Sequence, residues 1–412
     1  MKPRSVIGFD VSQTGRFKAG CGYMADSLMR QLARADRDNE YILYPTFGPA
    51  VWDEHWPRTT LHLHQRNIRR AAGQHKLSDL ETFWRQADVD LDAALGNPDV
   101  VHSNNFFCPT TLRRARLVYT LHDLAFVDHP EWTTEDNRVT CFTGVLAASV
   151  HADHIVAVSH ATRDHFLRVF PHYPTRRISV VYSASRFADR SVLGRSPAAL
   201  RTMPTAGFWL SVGTLEPRKN YTRLLHAYAR YVAQAASGGV PLVIAGGKGW
   251  LVDDLEQQID DLSLRGRVLL LGYVDDAELV WLYEHCFAFV YVSTFEGFGL
   301  PVVEAMSFGA PVVAGNTTSL PELVGAAGIM VDPFDEEQIS AAMRRVATDS
   351  VCRAALRSAS FERAKQFSWS DTAKQVLNVY HTVLDQPAFG AIATAREPQE
   401  LLAGAPILGH TP

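Results

Sequence analysis

A repeated rhythm constrains this chain more than any single residue does. Short apolar runs rich in Val, Ile, Phe and Tyr alternate with helical patterns, and the whole alternation occurs twice. In the first half the runs are Ser5–Phe9, Glu40–Tyr44, Val100–His102, Leu117–Thr120, His154–Val158 and Ile178–Val181. In the second half they are Phe208–Val212, Pro241–Ala245, Val268–Leu271, Ala288–Val292, Pro311–Ala314 and Gly328–Val331. Helical patterns such as Tyr23–Arg34, Tyr221–Ala236, Asp275–Cys286 and Asp335–Ala347 lie between them. Strands that read as continuous apolar runs are buried on both faces, which requires helices on both sides of a parallel sheet. The predicted class is therefore α/β, with two Rossmann-like doubly wound sheets facing across a cleft.

A chain of 412 residues is too long for one ordinary core, which also favours two domains. We expect an N-terminal domain over 1–185, a connection over 186–205 and a C-terminal domain over 206–366. The connection falls in a polar stretch from about Ser183 to Thr205 that contains Pro197 and Pro204. A helical pattern over 367–384 follows the Phe367-Ser-Trp369 turn and is expected to cross back to the N-terminal domain. From 385 to 412 the sequence is rich in Ala, Gly and Pro without periodicity, so an irregular tail is expected.

The net charge of -4 does not indicate bulk nucleic-acid binding. Five cysteines, Cys21, Cys108, Cys141, Cys286 and Cys352, are scattered without a C-x-x-C pair. This argues against a disulfide framework or a zinc site and suits a reducing compartment. No signal-peptide h-region and no membrane-length apolar run is visible, so the expected location is cytoplasmic.

The densest signal is Ser293-Thr-Phe-Glu-Gly-Phe-Gly-Leu-Pro-Val-Val-Glu304. It follows a strand, and Pro301 suits the start of a helix, where its missing N–H costs nothing. A glycine-bearing loop at a helix N-terminus gathers N–H groups that suit a phosphate. Glu296 in the loop and Glu304 one turn into the helix would repel phosphate but accept hydrogen bonds from hydroxyls. A ligand with both phosphates and hydroxyls is a sugar nucleotide. An E-x7-E spacing also arises by chance, and Glu304 suits the helix dipole without any ligand. At the end of another strand stands Gly213-Thr-Leu-Glu-Pro-Arg-Lys-Asn220. Its Arg218 and Lys219 supply a fork and a point charge suited to phosphate, or else a solvated pair before a helix.

Gly213–Asn220, the Glu296–Glu304 element, Phe308-Gly-Ala-Pro-Val-Val-Ala-Gly315 and Leu320-Pro-Glu-Leu-Val324 together resemble the retaining glycosyltransferases of family 4. The resemblance is strong from Phe208 to Leu384 and weaker before it. It implies the two-domain B-type fold and sugar transfer from a nucleotide diphosphate donor without a metal ion or other cofactor. Arg218 and Lys219 would neutralise the diphosphate, Glu304 would hold the ribose, and Glu296 would contact the transferred sugar. The N–H groups of Gly297, Phe298, Gly299 and Leu300 would cradle phosphate and sugar oxygens, with Gly213 at the neighbouring strand end. The Gly-Thr-Leu-Glu-Pro-Arg-Lys-Asn form looks most like bacterial polysaccharide transferases. It leans towards mannose from a GDP-sugar over UDP-sugars, with a lipid-linked or polysaccharide-precursor glycan as acceptor.

In the N-terminal half, Gln13–Gly22 resembles the family's glycine-rich loop, with Gly20 and Gly22 as candidates for donor-phosphate approach. The usual adjacent Gly-Gly pair is here Ala19-Gly20-Cys21-Gly22, and a plain flexible loop is the alternative. His122 of Val118-Tyr-Thr-Leu-His-Asp123 matches the family's His-Asp element near the anomeric centre. Asp123 would orient it or a neighbouring loop. His151-x-x-His154 with Asp153 lacks further ligands and reads as structural. Arg58, Arg66, Arg69, Arg70, Lys76 and Arg85 interleave with Trp52, Trp56, Phe83 and Trp84. A solvated face is the default for these. The alternative is peripheral docking on anionic lipid at the inner face of the membrane, which would suit a lipid-linked acceptor.

Two other functions stay open on sequence alone: a sugar-nucleotide epimerase of the same architecture, and a non-catalytic sugar-nucleotide-binding protein. Glu296 as a covalent nucleophile is also open, although the resemblance implies a same-face reaction in which the leaving phosphate deprotonates the acceptor.

Overall fold

The computed structural model describes residues 4–15, 18–49, 63, 65–71, 83–84, 89–189, 191–200, 207–235, 239–249 and 255–389. The two runs of apolar segments form two wholly parallel sheets. The first has seven strands in the order β3-β2-β1-β4-β5-β6-β7. They are β1 (Val6–Asp10), β2 (Glu40–Tyr44), β3 (Ile68–Arg70), β4 (Val100–Ser103), β5 (Arg116–Leu121), β6 (His154–Ala157) and β7 (Ile178–Val180). The second has six in the order β10-β9-β8-β11-β12-β13. These are β8 (Trp209–Val212), β9 (Leu242–Ala245), β10 (Val268–Gly272), β11 (Ala288–Tyr291), β12 (Val312–Gly315) and β13 (Gly328–Val331).

In both sheets the winding direction reverses once, between β1 and β4 and between β8 and β11. Loops leaving the carboxyl ends of two such strands run apart and open a crevice, where ligands of doubly wound sheets bind. The Arg218–Lys219 segment leaves β8 and the Glu296 loop leaves β11, so both flank the second switch point.

Each sheet is sandwiched between apolar layers, and β4, β6, β8, β9, β11 and β12 are buried at every residue. The predicted crossing helix forms over Trp369–Asp385, its N-cap Ser368 accepting from the Asp371 N–H. Its Ala373, Val376, Val379, Tyr380 and Val383 join Ile7, Phe9, Leu28 and Met29 in the N-terminal core. Burying each of its larger side chains contributes about 1.5–3 kcal/mol. The helix therefore belongs energetically to the first sheet although it follows the second. The polar Ser183–Thr205 stretch is not a free strap. Its Ala184, Phe187 and Leu200 are buried in the core under the second sheet, while its Pro204 and Thr205 lie outside the described residues. Among the described residues, no helix is long and apolar enough to cross a membrane.

Candidate active site

Residues 217–219 form one tight helical turn after β8, closed by Asn220 in a left-handed conformation with φ 60°. Asn220 tolerates this because its amide donates to the carbonyls of Val292 (3.0 Å) and Pro333 (2.7 Å). The turn aims Arg218 and Lys219 at the loop after β11. Arg218 Nη1 donates to Glu296 Oε2 at 2.7 Å, and Lys219 Nζ donates to Glu296 Oε1 at 2.6 Å. Tyr291 Oη (2.8 Å) and Ser293 Oγ (2.7 Å) also donate to Glu296 Oε1. Burial would raise the Glu296 pKa, but Arg218, Lys219 and the Ser293 hydroxyl outweigh it and hold it at about 2. Glu296 is thus a fixed anion. Gly213 makes room for the lysine, since a Cβ there would lie 3.2 Å from Lys219 Cε.

Glu216 is a member the sequence reading passed over. Its Oε1 lies 2.7 Å from Arg218 Nη2 and 4.0 Å from Lys219 Nζ. Two carboxylates therefore balance two cations, which makes burial of all four tolerable. Donors are left over. An ammonium has three N–H bonds, and Lys219 commits two, to Glu296 and Tyr291.

The loop beyond Glu296 is held by its carbonyls. Gly297 O accepts from Ser159 Oγ (2.6 Å) and Thr162 Oγ1 (3.0 Å), both from the N-terminal domain. Phe298 O accepts from Ser319 Oγ at 2.6 Å. The N–H groups of Gly297, Phe298 and Gly299 make no hydrogen bond among the described residues. Gly299, with φ 108°, starts the helix Leu300–Ser307, in which Pro301 takes the second position and not the first. Glu304 lies one turn in and is only 1% exposed. Its Oε2 accepts from Tyr283 at 3.1 Å, and its Oε1 lies 2.8 Å from Arg186 Nε. Burial pushes the Glu304 pKa up, with Arg186 and Tyr283 opposing it. We read the pair as ionised, because a guanidinium beside it cannot release its proton. Glu296 and Glu304 hence stand in different surroundings, one in the cationic cluster and one against Arg186.

His122 follows β5 and comes up to this loop from the other sheet. A Cβ on Gly297 would lie 1.9 Å from the His122 carbonyl oxygen, so the two strand ends are in backbone contact. The His122 ring places Nε2 2.8 Å from Asn104 O. Burial disfavours its cation, but the Cys21 thiol, the Asn104 carbonyl and Asp123 outweigh this and raise its pKa to about 9. Gly20 and Gly22 require one correction. They stand in the first turn of the helix Gly20–Ala35 and not in a loop before it. Terminal N–H groups there have no intrahelical partner, and Ala19 offers no side-chain cap. The two glycines differ: a Cβ on Gly22 would strike Gln13 O at 2.1 Å, whereas Gly20 has open space.

Two groups read as alternatives in the sequence have ordinary structural partners. Asp153 accepts from the N–H groups of Leu117 (2.9 Å) and Phe389 (2.7 Å), and His154 Nε2 lies 2.9 Å from Ser179 Oγ. Of the basic-aromatic set, Trp52, Trp56, Arg58, Lys76 and Arg85 lie outside the described residues. Phe83 and Trp84 pack edge-on with each other, and Trp84 also packs on Phe47 and Phe107. Arg69 pairs with Glu40 at 2.8 Å.

Residues 19–184 match the model of Glycosyltransferase Family 4, and residues 197–366 match that of Glycosyl transferases group 1. The O-antigen chain mannosyltransferase B of Escherichia coli is 38% identical over 288 residues, covering 68% of this chain and 74% of that protein. The chain is a family 4 glycosyltransferase. A serotype-specific mannosyltransferase of Escherichia coli, WbdA, is 27% identical over 324 residues; the match spans 73% of this chain but only 39% of that longer protein. Among solved structures, Anabaena Alr3699/HepE in complex with UDP and glucose superposes with a TM-score of 0.69 at 21% identity, covering 92% of this chain and 100% of the other. WaaG, a glycosyltransferase involved in lipopolysaccharide biosynthesis, superposes at 0.63 with 14% identity, covering 91% and 99%. Both share the two-sheet fold of this glycosyltransferase. It acts on a nucleotide-sugar donor and a glycan acceptor.

Proposed function

We propose that this glycosyltransferase moves mannose from GDP-mannose to a hydroxyl of a lipid-linked polysaccharide precursor, with retention at the anomeric carbon and without a metal ion. The reading rests first on the Arg218–Lys219–Glu296 cluster beside the uncommitted N–H groups of Gly297 to Gly299. Leaving-group departure puts negative charge on a diphosphate. Two fixed cations and aligned N–H dipoles in a poorly hydrated crevice stabilise that charge, the role a divalent ion plays elsewhere. Glu296 is committed to four donors, which supports its role as a fixed partner of cations and sugar and disfavours it as a nucleophile. The leaving phosphate oxygen then takes the acceptor proton on the face that it vacates. His122 lies across the contact and donates to the donor sugar as its bond breaks. Mannose is preferred because the 38% identical relative is an O-antigen mannosyltransferase.

The test is transfer from GDP-mannose, with UDP-glucose in parallel, to a lipid-linked glycan primer in the presence of EDTA. The product linkage is assigned by NMR. Transfer of mannose with an α linkage that EDTA leaves intact supports the proposal. A β linkage, an absolute need for divalent metal, or transfer only from UDP-glucose overturns the corresponding part.

A further inference from the structure

A strained residue stands beside the donor loop and has no part in the chemistry above. Among the described residues, the non-glycine positions with positive φ are Asn97, Asn220, Ser263 and Thr318. Asparagine and serine carry a single substituent on Cβ, and asparagine visits this region readily. Thr318, with φ 49°, is the β-branched member, and a branched Cβ is crowded by the backbone in the left-handed conformation. Glycine would occupy the same turn without that crowding. Strain of this kind persists only where the surroundings over-determine it, and it gathers at functional sites.

The surroundings of Thr318 are specific. It lies in the turn between β12, the neighbour of β11, and the helix Leu320–Val324. Its Oγ1 accepts from the Glu296 N–H at 2.9 Å. The residues on either side hold the same loop. Thr317 Oγ1 donates to Ser293 O at 3.2 Å, and Ser319 Oγ lies 3.0 Å from Glu296 O and 2.6 Å from Phe298 O. Ser319 has one O–H hydrogen to divide between two carbonyls, so its hold on Glu296 is shared. Glu296 is therefore fixed at three points: its N–H by Thr318, its carbonyl by Ser319, and its carboxylate by Arg218 and Lys219. The next peptide units carry the N–H groups of Gly297, Phe298 and Gly299. With glycine at two of those positions the backbone has little preference of its own, and the anchors at Glu296 and Phe298 set where the N–H groups point.

We propose that Thr318 is a positioning residue for sugar transfer, held in a strained turn so that its hydroxyl fixes the Glu296 backbone and aims the N–H groups that follow. The inference rests on the reading of the Glu296 loop as the donor contact and adds to it a residue that touches no substrate. It separates two properties of one side chain. The hydroxyl serves the reaction, whereas the branched Cβ only adds strain to the turn that delivers it.

The test measures kcat for transfer from GDP-mannose or UDP-glucose to the lipid-linked primer, together with thermal unfolding midpoints, in the full chain. Wild type is compared with Thr318→Ser, Thr318→Val and Thr318→Gly. Thr318→Ser keeps the acceptor, so its kcat should stay within about 3-fold of wild type. Thr318→Val and Thr318→Gly should each lose roughly 10- to 100-fold in kcat, on the scale of a misplacement approaching 1 Å. The midpoint should fall by about 2–4 °C in Thr318→Val for the lost hydrogen bond. In Thr318→Gly it should fall by less than half of that, because release of strain offsets the loss. A residue that only supported the fold would lower rate and midpoint together. Amide hydrogen exchange supplies a reading that needs no substrate. Residues 293–300 should exchange at least about 10-fold faster in the Val and Gly variants, and as in wild type in Thr318→Ser. Wild-type kcat or wild-type exchange in both Thr318→Val and Thr318→Gly would overturn the inference, and the donor-loop reading would stand if Glu296→Gln still loses rate. A Glu296→Gln enzyme with wild-type kcat would overturn that reading and the inference with it.

Discussion

At the residue scale the site is a balance of buried charges, and each member has a separable consequence. Lys219 keeps one N–H uncommitted and Arg218 shares the Glu296 carboxylate with it, so loss of either should weaken stabilisation of the departing diphosphate. Arg218→Ala and Lys219→Ala should each lower kcat by an amount equivalent to about 2–4 kcal/mol, as for a lost oxyanion donor. Steady-state rates at saturating donor check this, and a change confined to KM would contradict it. Glu296 carries the opposite test. Its pKa falls from the ordinary 4.5 to about 2 on folding. A depressed carboxylate contributes stability that is complete above its unfolded value and is lost as pH falls through its folded value. Wild type should therefore lose stability steeply between about pH 4.5 and 2. Glu296→Gln should be less stable at pH 7, by about 3 kcal/mol or more for a broken buried pair, yet flatter across that acid window. Urea-unfolding midpoints against pH measure both, and parallel acid limbs would refute the assignment. Arg218, Lys219 and Glu296 were legible in the sequence because each lies in a loop just past a strand end, and Glu304 because it stands one turn into the helix that the Glu296 loop opens. Glu216 lay inside one of those motifs and was still passed over, because a carboxylate beside a phosphate reader looks misplaced until Arg218 is seen between it and Glu296. Arg186 had no local signal, since its carboxylate partners Asp276 and Glu304 are 90 and more residues away in the chain.

At the scale of elements, what the sequence betrayed depended on burial. The apolar run Glu40–Tyr44 is a strand with those same bounds and is buried at four of its five residues, as a parallel strand covered on both faces should be. Gly328–Val331 keeps its bounds too, although as an edge strand it is mostly half-buried. The edge strand Ile68–Arg70 escaped notice. Three residues, two of them exposed arginines, carry no period. The helix Glu135–His151 also lacked a clean pattern, because Val139, Phe142, Leu146 and Val150 are apolar residues on its exposed side. The loop after β11 offers the sharpest test at this scale. Gly297 is where two strand ends touch, and a methyl group there would lie 1.9 Å from the His122 carbonyl oxygen and 2.9 Å from Asp123 Cβ. Gly297→Ala should cost about 1–3 kcal/mol through overpacking. Because the shift separates His122 from the Glu296 loop by about 1 Å, kcat should fall roughly 100-fold. An enzyme with wild-type kcat would show that the two loops need not touch in catalysis.

The whole molecule adds a constraint that neither sheet contains. Glu322, on the helix Leu320–Val324 of the C-terminal half, reaches across to the helix His160–Val169 of the N-terminal half. Its two carboxylate oxygens accept from the His160 and Ala161 N–H groups, each at 3.0 Å, and Oε2 also accepts from Tyr182 Oη at 2.8 Å. A carboxylate at a helix N-terminus satisfies orphan donors and meets a favourable dipole, but here helix and cap belong to different domains. Its stabilisation therefore falls on their apposition and not on either domain. The hydroxyls of Ser159 and Thr162, which grip Gly297 O, sit on the same helix start, so the latch and the donor loop meet at one junction. Glu322→Ala should remove about 1–2 kcal/mol from the closed arrangement, on the scale of a lost helix cap. The domains should open more often, and since the site is complete only when they meet, kcat/KM should fall about 5- to 30-fold for that loss. Small-angle scattering should show a larger radius of gyration for the variant, reduced again by saturating donor, with little change in the unfolding of either core. Ser159→Ala and Glu322→Ala combined should be non-additive, because both act on one junction. Unchanged scattering together with unchanged kinetics would mean that Glu322 does not hold the halves together.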